Sequence, residues 1–285
     1  MGSATKVNQL LLADLETSKL CIIRSGDAAK TRRFSVAVGF GPKHNLGVYN
    51  PGVDTVARAL TERYFFCKEG EGFRKALVVD PSTYRQRRLK TFRELVMVNM
   101  PNLPRLTASQ TVALYRGVKR KLYQRAHESL DREALVPADA RLRSFPKCEK
   151  QDISKAPRCI NPRSPRYNLE LARYLKHAEK RFYEAINLAF GGKTSATVLK
   201  GMNADRMAAI MREKWDRFDD PVAVGLDASK FDMHVSVPAL RYEQSFYKSL
   251  FPGSRMLRAL LKLQLRNTGT AYCCDGKVKF SIEGT

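Results

Sequence analysis

The sequence predicts a helix-rich α+β fold, and three observations lead to this prediction. Several segments carry apolar residues at steps of three and four, which is the period of a helix with one buried face. Residues 222–226 form a short apolar run that is typical of a buried strand. Residues 270–282, with Asp275 and Gly276 near their middle, indicate a β-hairpin. At 285 residues and 44% hydrophobic content, the chain is long enough for one large domain or two ordinary ones.

A strong positive charge restricts the partners of the chain. Lysine and arginine number 51 against 28 aspartates and glutamates, which gives a net charge of +23 and an isoelectric point near 10.0. Nucleic acid is the first partner that this surplus predicts, and an anionic membrane surface is the second. No apolar run reaches 18 residues, so we expect no transmembrane segment in this chain. The six cysteines form no Cys-x-x-Cys pair, which predicts reduced thiols, no zinc site and a cytosolic setting.

The first elements in chain order follow from short patterns. A short helix and a strand are predicted before residue 25, and an amphipathic helix follows at residues 53–66. A basic helix is predicted at residues 106–130, where Thr107 or Ser109 can cap the first turn. Such a helix can follow an RNA backbone with its cations and stack exposed bases on its aromatic rings. Its predicted inner face comprises Val112, Tyr115, Val118, Leu122 and Ala126, and its outer face carries Arg116, Lys119, Arg120 and Arg125.

A basic, proline-rich loop is predicted at residues 145–168. It contains six cations, two acidic residues and four prolines, a composition that an ordinary helix does not tolerate. The prolines and β-favouring residues imply an extended, projecting segment. A plain basic linker would have the same composition. We favour a positively charged path for an incoming triphosphate, because the loop lies upstream of a pair of carboxylates in the sequence.

The second half of the chain predicts mainly helices. The single tryptophan, Trp215, is expected in the core. After the strand at residues 222–226, Ser236 is predicted to cap a helix that has Pro238 in its first turn. A basic helix then leads into the hairpin. The helices of this half are predicted at residues 167–183, 203–218, 237–250 and 255–266.

Two carboxylates, Asp227 and Asp232, follow the predicted strand. Acidic residues at strand ends often cap the next helix or lie in solvent, so this spacing alone is weak support for a site. A carboxylate in this position can also hold Mg²⁺ against a triphosphate, because Mg²⁺ takes few protein oxygens and completes its shell with water and phosphate. Asp232, one tight turn further on, could reach the sugar of the same nucleotide.

The surroundings of the two carboxylates resemble a known motif. Residues 225–234 read Gly-Leu-Asp-Ala-Ser-Lys-Phe-Asp-Met-His, and with their flanks they resemble motif A of the RNA-directed RNA polymerases of tombusvirus-like plant viruses (Tombusviridae). Residues 115–120, Tyr-Arg-Gly-Val-Lys-Arg, resemble the template-channel helix of this family. Residues 60–65, Leu-Thr-Glu-Arg-Tyr-Phe, resemble the end of a helix that lies ahead of the polymerase core. The basic loop resembles motif F of positive-strand RNA virus polymerases through Lys147-x-Glu149 and Lys155-x-x-Arg158-x-Ile160.

This resemblance implies a right-hand polymerase fold, of which the chain would hold the fingers and only the beginning of the palm. Residues 1–105 would form an N-terminal extension and fingertip region, and residues 106–220 would form the fingers. Residues 221–285 would start the palm, from motif A to the beginning of motif B at Gly284 and Thr285. Motif C would be absent, so we expect a truncated chain that is inactive by itself.

The resemblance also implies a role for each matched residue. Asp227 would be catalytic and would bind Mg²⁺ or Mn²⁺ together with the backbone of Ala228. Asp232 would select ribose through its 2′-hydroxyl group. Glu149 would brace the loop, and Ile160 would pack under the templating base. The triphosphate of the NTP would meet Lys147, Lys155 and Arg158, and the RNA template would meet Tyr115, Arg116, Lys119 and Arg120.

The activity implied for a complete enzyme is template-directed nucleotidyl transfer from NTPs by a two-metal mechanism, in viral RNA replication. Its partners would be the viral RNA template, the nascent RNA, NTPs and an auxiliary viral replication protein. It would act in the host cytoplasm, at membrane-associated replication sites reached through other segments or partners. The alternative is a non-enzymatic, basic RNA-binding or packaging protein, which would have no use for the ordered series of basic helix, basic loop and paired carboxylates. A reverse transcriptase is disfavoured, because that class places a bulky residue where Asp232 stands.

Overall fold

The computed structural model describes residues 2–34, 46–76, 79–191 and 196–284, and it confirms a mixed helix and sheet fold. Thr285, at the expected opening of motif B, lies outside these residues. The predicted amphipathic helix is present and ends in a single π-helical turn, Thr61–Phe65. The first elements are α1 (Gln9–Ala13), β1 (Leu20–Arg24), β2 (Leu46–Gly47), α2 (Val53–Leu60), β3 (Phe66–Glu69) and β4 (Gly72–Lys75).

The middle of the chain holds the basic helix and the basic loop. Short 3₁₀ turns at Pro81–Arg85 and Pro137–Ala140 separate the longer elements. Residues 147–164 of the loop form no helix, as predicted, and residues 147–158 lie between two short strands. The prediction was wrong for residues 165–168, because Pro165 begins a helix and lies in its first turn, where proline is tolerated. The elements are α3 (Arg87–Val98), α4 (Ala108–Ala113), α5 (Gly117–Arg132), β5 (Leu142–Pro146), β6 (Gln151–Asp152) and β7 (Cys159–Ile160).

The part of the chain from Pro165 onward confirms the predicted hairpin and most of the helices. Ser236 caps its helix by accepting a hydrogen bond from Ala239 N at 3.4 Å, and Pro238 lies in the first turn. The helix predicted at residues 167–183 is divided in two. The elements are α6 (Pro165–Leu175), α7 (Ala178–Gly191), α8 (Ala204–Trp215), α9 (Phe231–His234), α10 (Val237–Leu250), α11 (Arg255–Lys262), β8 (Arg266–Cys273) and β9 (Gly276–Glu283).

A five-stranded sheet joins the beginning, the middle and the end of the described chain. Its strand order is β1-β9-β8-β5-β7, and β5 is parallel to β8 while the other pairs are antiparallel. Burial alternates along β8 and β9, which is typical of a sheet with one covered face. Helix α2 belongs to the same core, where Val53, Val56 and Leu60 are buried with Ala271 and Val278. The π-helical turn that follows α2 is therefore held at a fixed place beside the sheet.

The turn of the β8–β9 hairpin caps α2. The Val53 N–H group donates to the Asp275 carboxylate at 3.1 Å, which satisfies a free N–H group and places negative charge at the helix N-terminus. Gly276 follows with a φ of +139°, and a Cβ atom there would lie 2.1 Å from the carbonyl oxygen of Ile23. Because only glycine fits, the Asp-Gly pair that predicted the hairpin also joins it to β1 and α2.

Helices α6, α10 and α11 form a second core. Tyr167, Leu257 and Leu261 are fully buried there. The Tyr167 hydroxyl donates to the carbonyl oxygen of Leu260 at 2.8 Å, so its polar end is satisfied inside the core. Among the described helices, none combines the length and the apolar character needed to cross a membrane.

The prediction of one continuous helix at residues 106–130 was wrong. Helix α4 ends before Leu114, and α5 begins at Gly117, whose φ of +54° lies in the left-handed region that glycine adopts without strain. This turn breaks the predicted inner face: Ala126 is buried, but Val118 is 85% exposed. Of the two predicted caps, Thr107 is confirmed and forms a capping box, whereas Ser109 lies inside α4.

The prediction of a buried strand at residues 222–226 was also wrong. The exposed fractions are 78% at Val222, 76% at Val224 and 92% at Leu226, and no strand in the described part of the chain pairs with this segment. A strand needs a neighbour that satisfies its N–H and C=O groups, and a local apolar pattern does not supply one. Trp215, expected in the core, is 44% exposed near the end of α8.

Candidate active site

A cavity of about 900 Å³ lies between the basic loop, the π-helical turn and the segment that carries the two carboxylates. The structure thus brings together two segments that were identified separately from their sequence patterns. Seven of the predicted site residues line the cavity: Lys147, Lys155, Arg158, Ile160, Asp227, Ala228 and Asp232.

Further charged residues and a tyrosine line the same cavity, although no sequence pattern predicted a role for them. Three of them lie in the π-helical turn, within residues 60–65, and a fourth lies in β3. Neither segment was predicted to hold a site residue. The fifth lies between the two carboxylates. No local pattern separates a cation that faces a cavity from one that faces solvent, so only the fold identifies them. They are Glu62, Arg63, Tyr64, Lys68 and Lys230.

The base of the basic loop is closed by a short antiparallel pair of strands. Phe145 lies opposite Ile160 in the β5–β7 pair. Just beyond it, the Lys147 N–H group donates to the carbonyl oxygen of Arg158 at 2.8 Å. The main chain therefore fixes Lys147 and Arg158 side by side, at the two ends of the part of the loop that lies between β5 and β7.

Glu149 lies between these two cations. Its carboxylate is 2.6 Å from Lys147 Nζ and 3.6 Å from Arg158 Nε, the second distance being longer than a hydrogen bond. Glu149 is less exposed than either partner. Its position between two like charges is suited to the bracing role that the resemblance implies, because it offsets their mutual repulsion.

The tip of the loop is held by Tyr49 and Arg58, and we call this pair the loop clamp. The Tyr49 hydroxyl lies 2.9 Å from the carbonyl oxygen of Lys155, and Arg58 Nη2 donates to that of Ser154 at 3.1 Å. Arg58 also donates to the Tyr49 oxygen at 3.0 Å and forms an ion pair with Glu62 at 2.8 Å. Burial raises the pKa of Tyr49, so its hydroxyl remains a donor at neutral pH. The N-terminal part of the chain therefore supports the cavity wall.

The two carboxylates are joined by a tight turn centred on Lys230. This residue has a φ of +51°, in the left-handed region. Its ammonium group donates to the carbonyl oxygen of Glu62 at 2.6 Å, and burial lowers its pKa. One turn of helix, α9, then carries Asp232. Met233 Sδ in the same helix lies 3.3 Å from Cys67 Sγ, so both Lys230 and α9 contact the segment that follows α2.

Tyr64 places a neutral phenol next to Asp232. Burial raises the pKa of Tyr64, and the negative charge of Asp232 raises it further. Asn161 Nδ2 donates to the Tyr64 oxygen at 2.7 Å, and Asn161 in turn accepts from Ser144 Oγ at 2.5 Å. This chain of hydrogen bonds fixes the phenol between the sheet and the cavity.

Positive charge predominates on the cavity wall, which carries six cations and three carboxylates. Of the carboxylates, Glu62 is engaged by Arg58. Neither Arg63 nor Lys68 forms an ion pair with any residue that the structure describes. A concave surface with unpaired cations attracts anions, since neighbouring charges add and the walls exclude water. The cavity is therefore suited to a polyanionic ligand such as a triphosphate.

The donor atoms near Asp227 fit a hard divalent cation. Asp227 and Ala228 both line the cavity, and carboxylate and carbonyl oxygens are the ligands that Mg²⁺ and Mn²⁺ prefer. Within the described ranges, no cluster of three or more His, Cys, Asp or Glu side chains could hold a metal ion. Mg²⁺ is commonly held by one or two carboxylates together with the phosphates of a substrate, and this sparse set is of that kind.

The predicted template residues form a separate surface on and just before α5. Arg116, Lys119 and Arg120 are exposed, and they do not line the cavity. The Tyr115 ring stacks on that of Tyr123 with centroids 4.4 Å apart, and burial raises the pKa of Tyr115 to about 12. A more apolar cavity of about 550 Å³, between α3, α6, α7 and α10, contains none of the predicted site residues.

Known proteins similar to this chain share one description. Residues 20–285 match the family described as viral RNA dependent RNA polymerase. The chain is 40% identical to the RNA-directed RNA polymerase of Cymbidium ringspot virus, and equally to that of Tomato bushy stunt virus (strain Cherry), over 288 residues. Each alignment covers 99% of this chain and 35% of the relative. The polymerase of Tobacco necrosis virus (strain A) is 40% identical over 273 residues, or 94% of this chain and 37% of the relative. The chain thus spans about a third of the length of these relatives.

Proposed function

The chain belongs to the viral RNA-dependent RNA polymerase family, and we propose that it supplies the nucleotide-binding cavity of an enzyme that copies an RNA template. One observation carries this proposal: three cations of the basic loop and two carboxylates of a separate segment line the same cavity. A non-enzymatic packaging protein would need the positive charge but not the two carboxylates within it.

In the proposed reaction, the 3′-oxygen of the growing RNA attacks the α-phosphate of an NTP. A new oxygen–phosphorus bond forms while the bond to the departing pyrophosphate breaks. Lys147, Lys155 and Arg158 hold the triphosphate, and their positive charge stabilises the charge that develops on the leaving group. Glu149 does not line the cavity, and it keeps two of these cations in place through its carboxylate.

The carboxylates have different tasks in this proposal. Asp227 and the backbone oxygen of Ala228 would hold Mg²⁺ or Mn²⁺, which when bound supplies positive charge close to the phosphates, as in two-metal phosphoryl transfer. Asp232 accepts a hydrogen bond from the ribose 2′-hydroxyl and so distinguishes NTPs from dNTPs. Ile160, 37% exposed at the end of β7, packs under the templating base.

The remaining assignments extend this proposal to the fold and the partners. Residues 106–220 would form the fingers of a right-hand polymerase and residues 221–285 the start of its palm, behind an N-terminal region at residues 1–105. The exposed cations of α5 would bind the RNA template together with Tyr115. We further propose action in the host cytoplasm, at membrane-associated replication sites, with an auxiliary viral replication protein as a partner.

The first test replaces Asp227 in a polymerase of the relatives' full length that carries this chain. We expect Asp227→Asn to lower template-directed incorporation at least about 100-fold, because the variant keeps the shape but loses the charge that holds the divalent ion. Asp27→Asn is the matched control, since Asp27 is exposed and does not line the cavity. Primer extension retained in Asp227→Asn would contradict the assignment.

A second test separates the cavity from the α5 surface. We expect Arg158→Ala to raise KM for NTPs while leaving template affinity within about twofold, because Arg158 lines the cavity and the template surface is elsewhere. Arg120→Ala is the converse variant. We expect it to lower the affinity for the template and to make that affinity less dependent on salt concentration, with little effect on KM for NTPs. Equal losses of both properties in both variants would contradict the division of roles.

A further inference from the structure

Lys230 adopts a backbone conformation that its residue type disfavours. It is the one non-glycine residue in the described ranges with positive φ, and its φ and ψ are 51° and 45°. An L-amino acid in this region brings its Cβ close to the following carbonyl oxygen. Such a conformation persists only where the surroundings hold it in place.

Two contacts hold this turn against the segment that follows α2. The Lys230 ammonium group donates to the carbonyl oxygen of Glu62 at 2.6 Å, inside the π-helical turn. On the other side of the turn, Met233 Sδ lies 3.3 Å from Cys67 Sγ. The first contact is directional and charge-assisted, so it holds the lysine more firmly than the packing of the two sulfur atoms.

The conformation of Lys230 decides where Asp232 lies relative to Asp227. Lys230 ends the extended segment that carries Asp227 and immediately precedes α9, which carries Asp232. The Met233 N–H group donates to the carbonyl oxygen of Lys230 at 3.0 Å, so α9 forms directly on this residue. With Lys230 in an ordinary extended or helical conformation, the chain would leave the turn in another direction and Asp232 would move.

We propose that Lys230 is a positioning residue: its bond to the Glu62 carbonyl holds the left-handed turn that aims Asp232 at the nucleotide sugar. This inference rests on the proposed polymerase function. It assigns a role in sugar discrimination to a residue between the two carboxylates, and it gives the segment before β3 a part in that discrimination. Loss of the Lys230 bond should therefore affect NTPs and dNTPs unequally.

The experiment compares NTP with dNTP incorporation in the full-length polymerase, as the ratio of the two kcat/KM values. Lys230→Met keeps most of the side-chain volume but loses the donor, and we expect the ratio to fall at least about fivefold, mainly through a higher KM for NTPs. Lys230→Gly also loses the donor but adopts positive φ without strain, so its ratio should lie between those of Lys230→Met and the wild type.

Lys68→Met is the matched control, because Lys68 lines the same cavity but makes no hydrogen bond to the turn. Lys68→Met removes one positive charge from the cavity wall, as Lys230→Met does, and we expect it to lower kcat/KM for NTPs and dNTPs by equal factors. If Lys230→Met also weakens both by equal factors, the lysine acts only through its charge and the inference is wrong. The inference is also wrong if the Lys230→Gly ratio falls as far as that of Lys230→Met.

Hydrogen exchange keeps the inference testable in an inactive variant. We expect the Met233 and Val235 amides, which donate to Lys230 and Asp232, to exchange at least about tenfold faster in Lys230→Met. Unchanged exchange overturns the inference. This readout does not depend on polymerase activity, so it distinguishes failure of the Lys230 inference from failure of the proposed function, which the Asp227→Asn test decides separately.

Discussion

The loop clamp offers the sharpest test of how the cavity wall is supported. Tyr49→Phe removes one oxygen atom from a ring that is 3% exposed. The variant loses a neutral bond to the loop carbonyls, at about 1 kcal/mol, and a charge-assisted bond from Arg58, at about 1.5–3 kcal/mol. Together these are about 2.5–4 kcal/mol if both partners are left unpaired. Arg58 keeps its bonds to Ser154 and Glu62 and is not left unpaired, so we expect a smaller net loss of about 2 kcal/mol.

Most of this loss should appear locally, as easier opening of the loop tip. A change of about 2 kcal/mol corresponds to a roughly 30-fold larger open population. The Ser154 amide donates to Asp152 Oδ1 at 2.9 Å and the Lys155 amide to Asp152 O at 3.2 Å, so both report on this opening. Hydrogen exchange followed by NMR or mass spectrometry should show both amides exchanging up to about 30-fold faster in Tyr49→Phe.

Tyr167→Phe is the matched control, because it also removes a buried hydroxyl, here one that donates to Leu260 O at 2.8 Å. It should lower the global free energy of unfolding by about 1–2 kcal/mol and leave exchange at the loop tip as in the wild type. If both variants accelerate the loop amides equally, the clamp is only part of the general stability of the fold. Wild-type exchange in Tyr49→Phe would refute the clamp altogether.

Three further predictions concern stability and titration. Gly269→Ala should cost about 1–3 kcal/mol in chemical denaturation, because its Cβ would lie 2.2 Å from the ring of Phe280, and Gly269→Ala with Phe280→Leu should recover part of the loss. Burial raises the pKa of the Cys159 thiol to about 12, so alkylation at pH 8 followed by mass spectrometry should label the exposed cysteines first; early labelling of Cys159 would contradict this. Hydrogen bonds from Lys200 and a neighbouring tyrosine lower the pKa of Glu179 from 4.5 to about 2, so its stabilising contribution is present above pH 4.5 and lost as the pH falls towards 2. The difference in denaturation between Glu179→Gln and wild type should therefore shrink over that interval, and an undiminished difference at pH 2 would contradict this reasoning.

The sequence correctly predicted the caps and turns that depend only on residues close to them in the chain. The Thr107 capping box, the Ser236 cap and the Asp275-Gly276 hairpin turn are all confirmed. In the two caps, a side chain accepts a hydrogen bond from a nearby backbone N–H group, and in the hairpin a glycine allows the tight turn. The residues that cause each structure therefore lie within a few positions of it in the sequence. The basic loop could be predicted up to Ser164 for the same reason, because its first three prolines disfavour a helix there. The fourth, Pro165, lies instead in the first turn of α6, where proline is tolerated.

The failures arose where distant contacts decide the outcome. The run from Val222 to Leu226 has the pattern of a buried strand, but burial depends on a neighbouring strand that its own residues do not specify. Gly117 breaks the basic helix at a cost of only about 1 kcal/mol in propensity, too little to outweigh a periodic pattern that continues on both sides. For the cavity, the paired carboxylates and the loop cations were predicted, whereas Arg63 and Lys230 were not. Arg63 lies in the turn that follows α2 and Lys230 bonds to that turn, so the position of both depends on where α2 packs.

The contact between Asp275 and α2 has a consequence for synthesis on the ribosome. Val53 and Asp275 are 222 residues apart, so the helix end that precedes the cavity wall waits for its cap for roughly 10–45 s at an elongation rate of about 5–20 residues per second. During that interval α2 also lacks β8 and β9, against which its apolar side packs. The nascent chain therefore exposes the apolar face of α2 until the hairpin emerges, and exposed apolar surface of this kind is what chaperones bind.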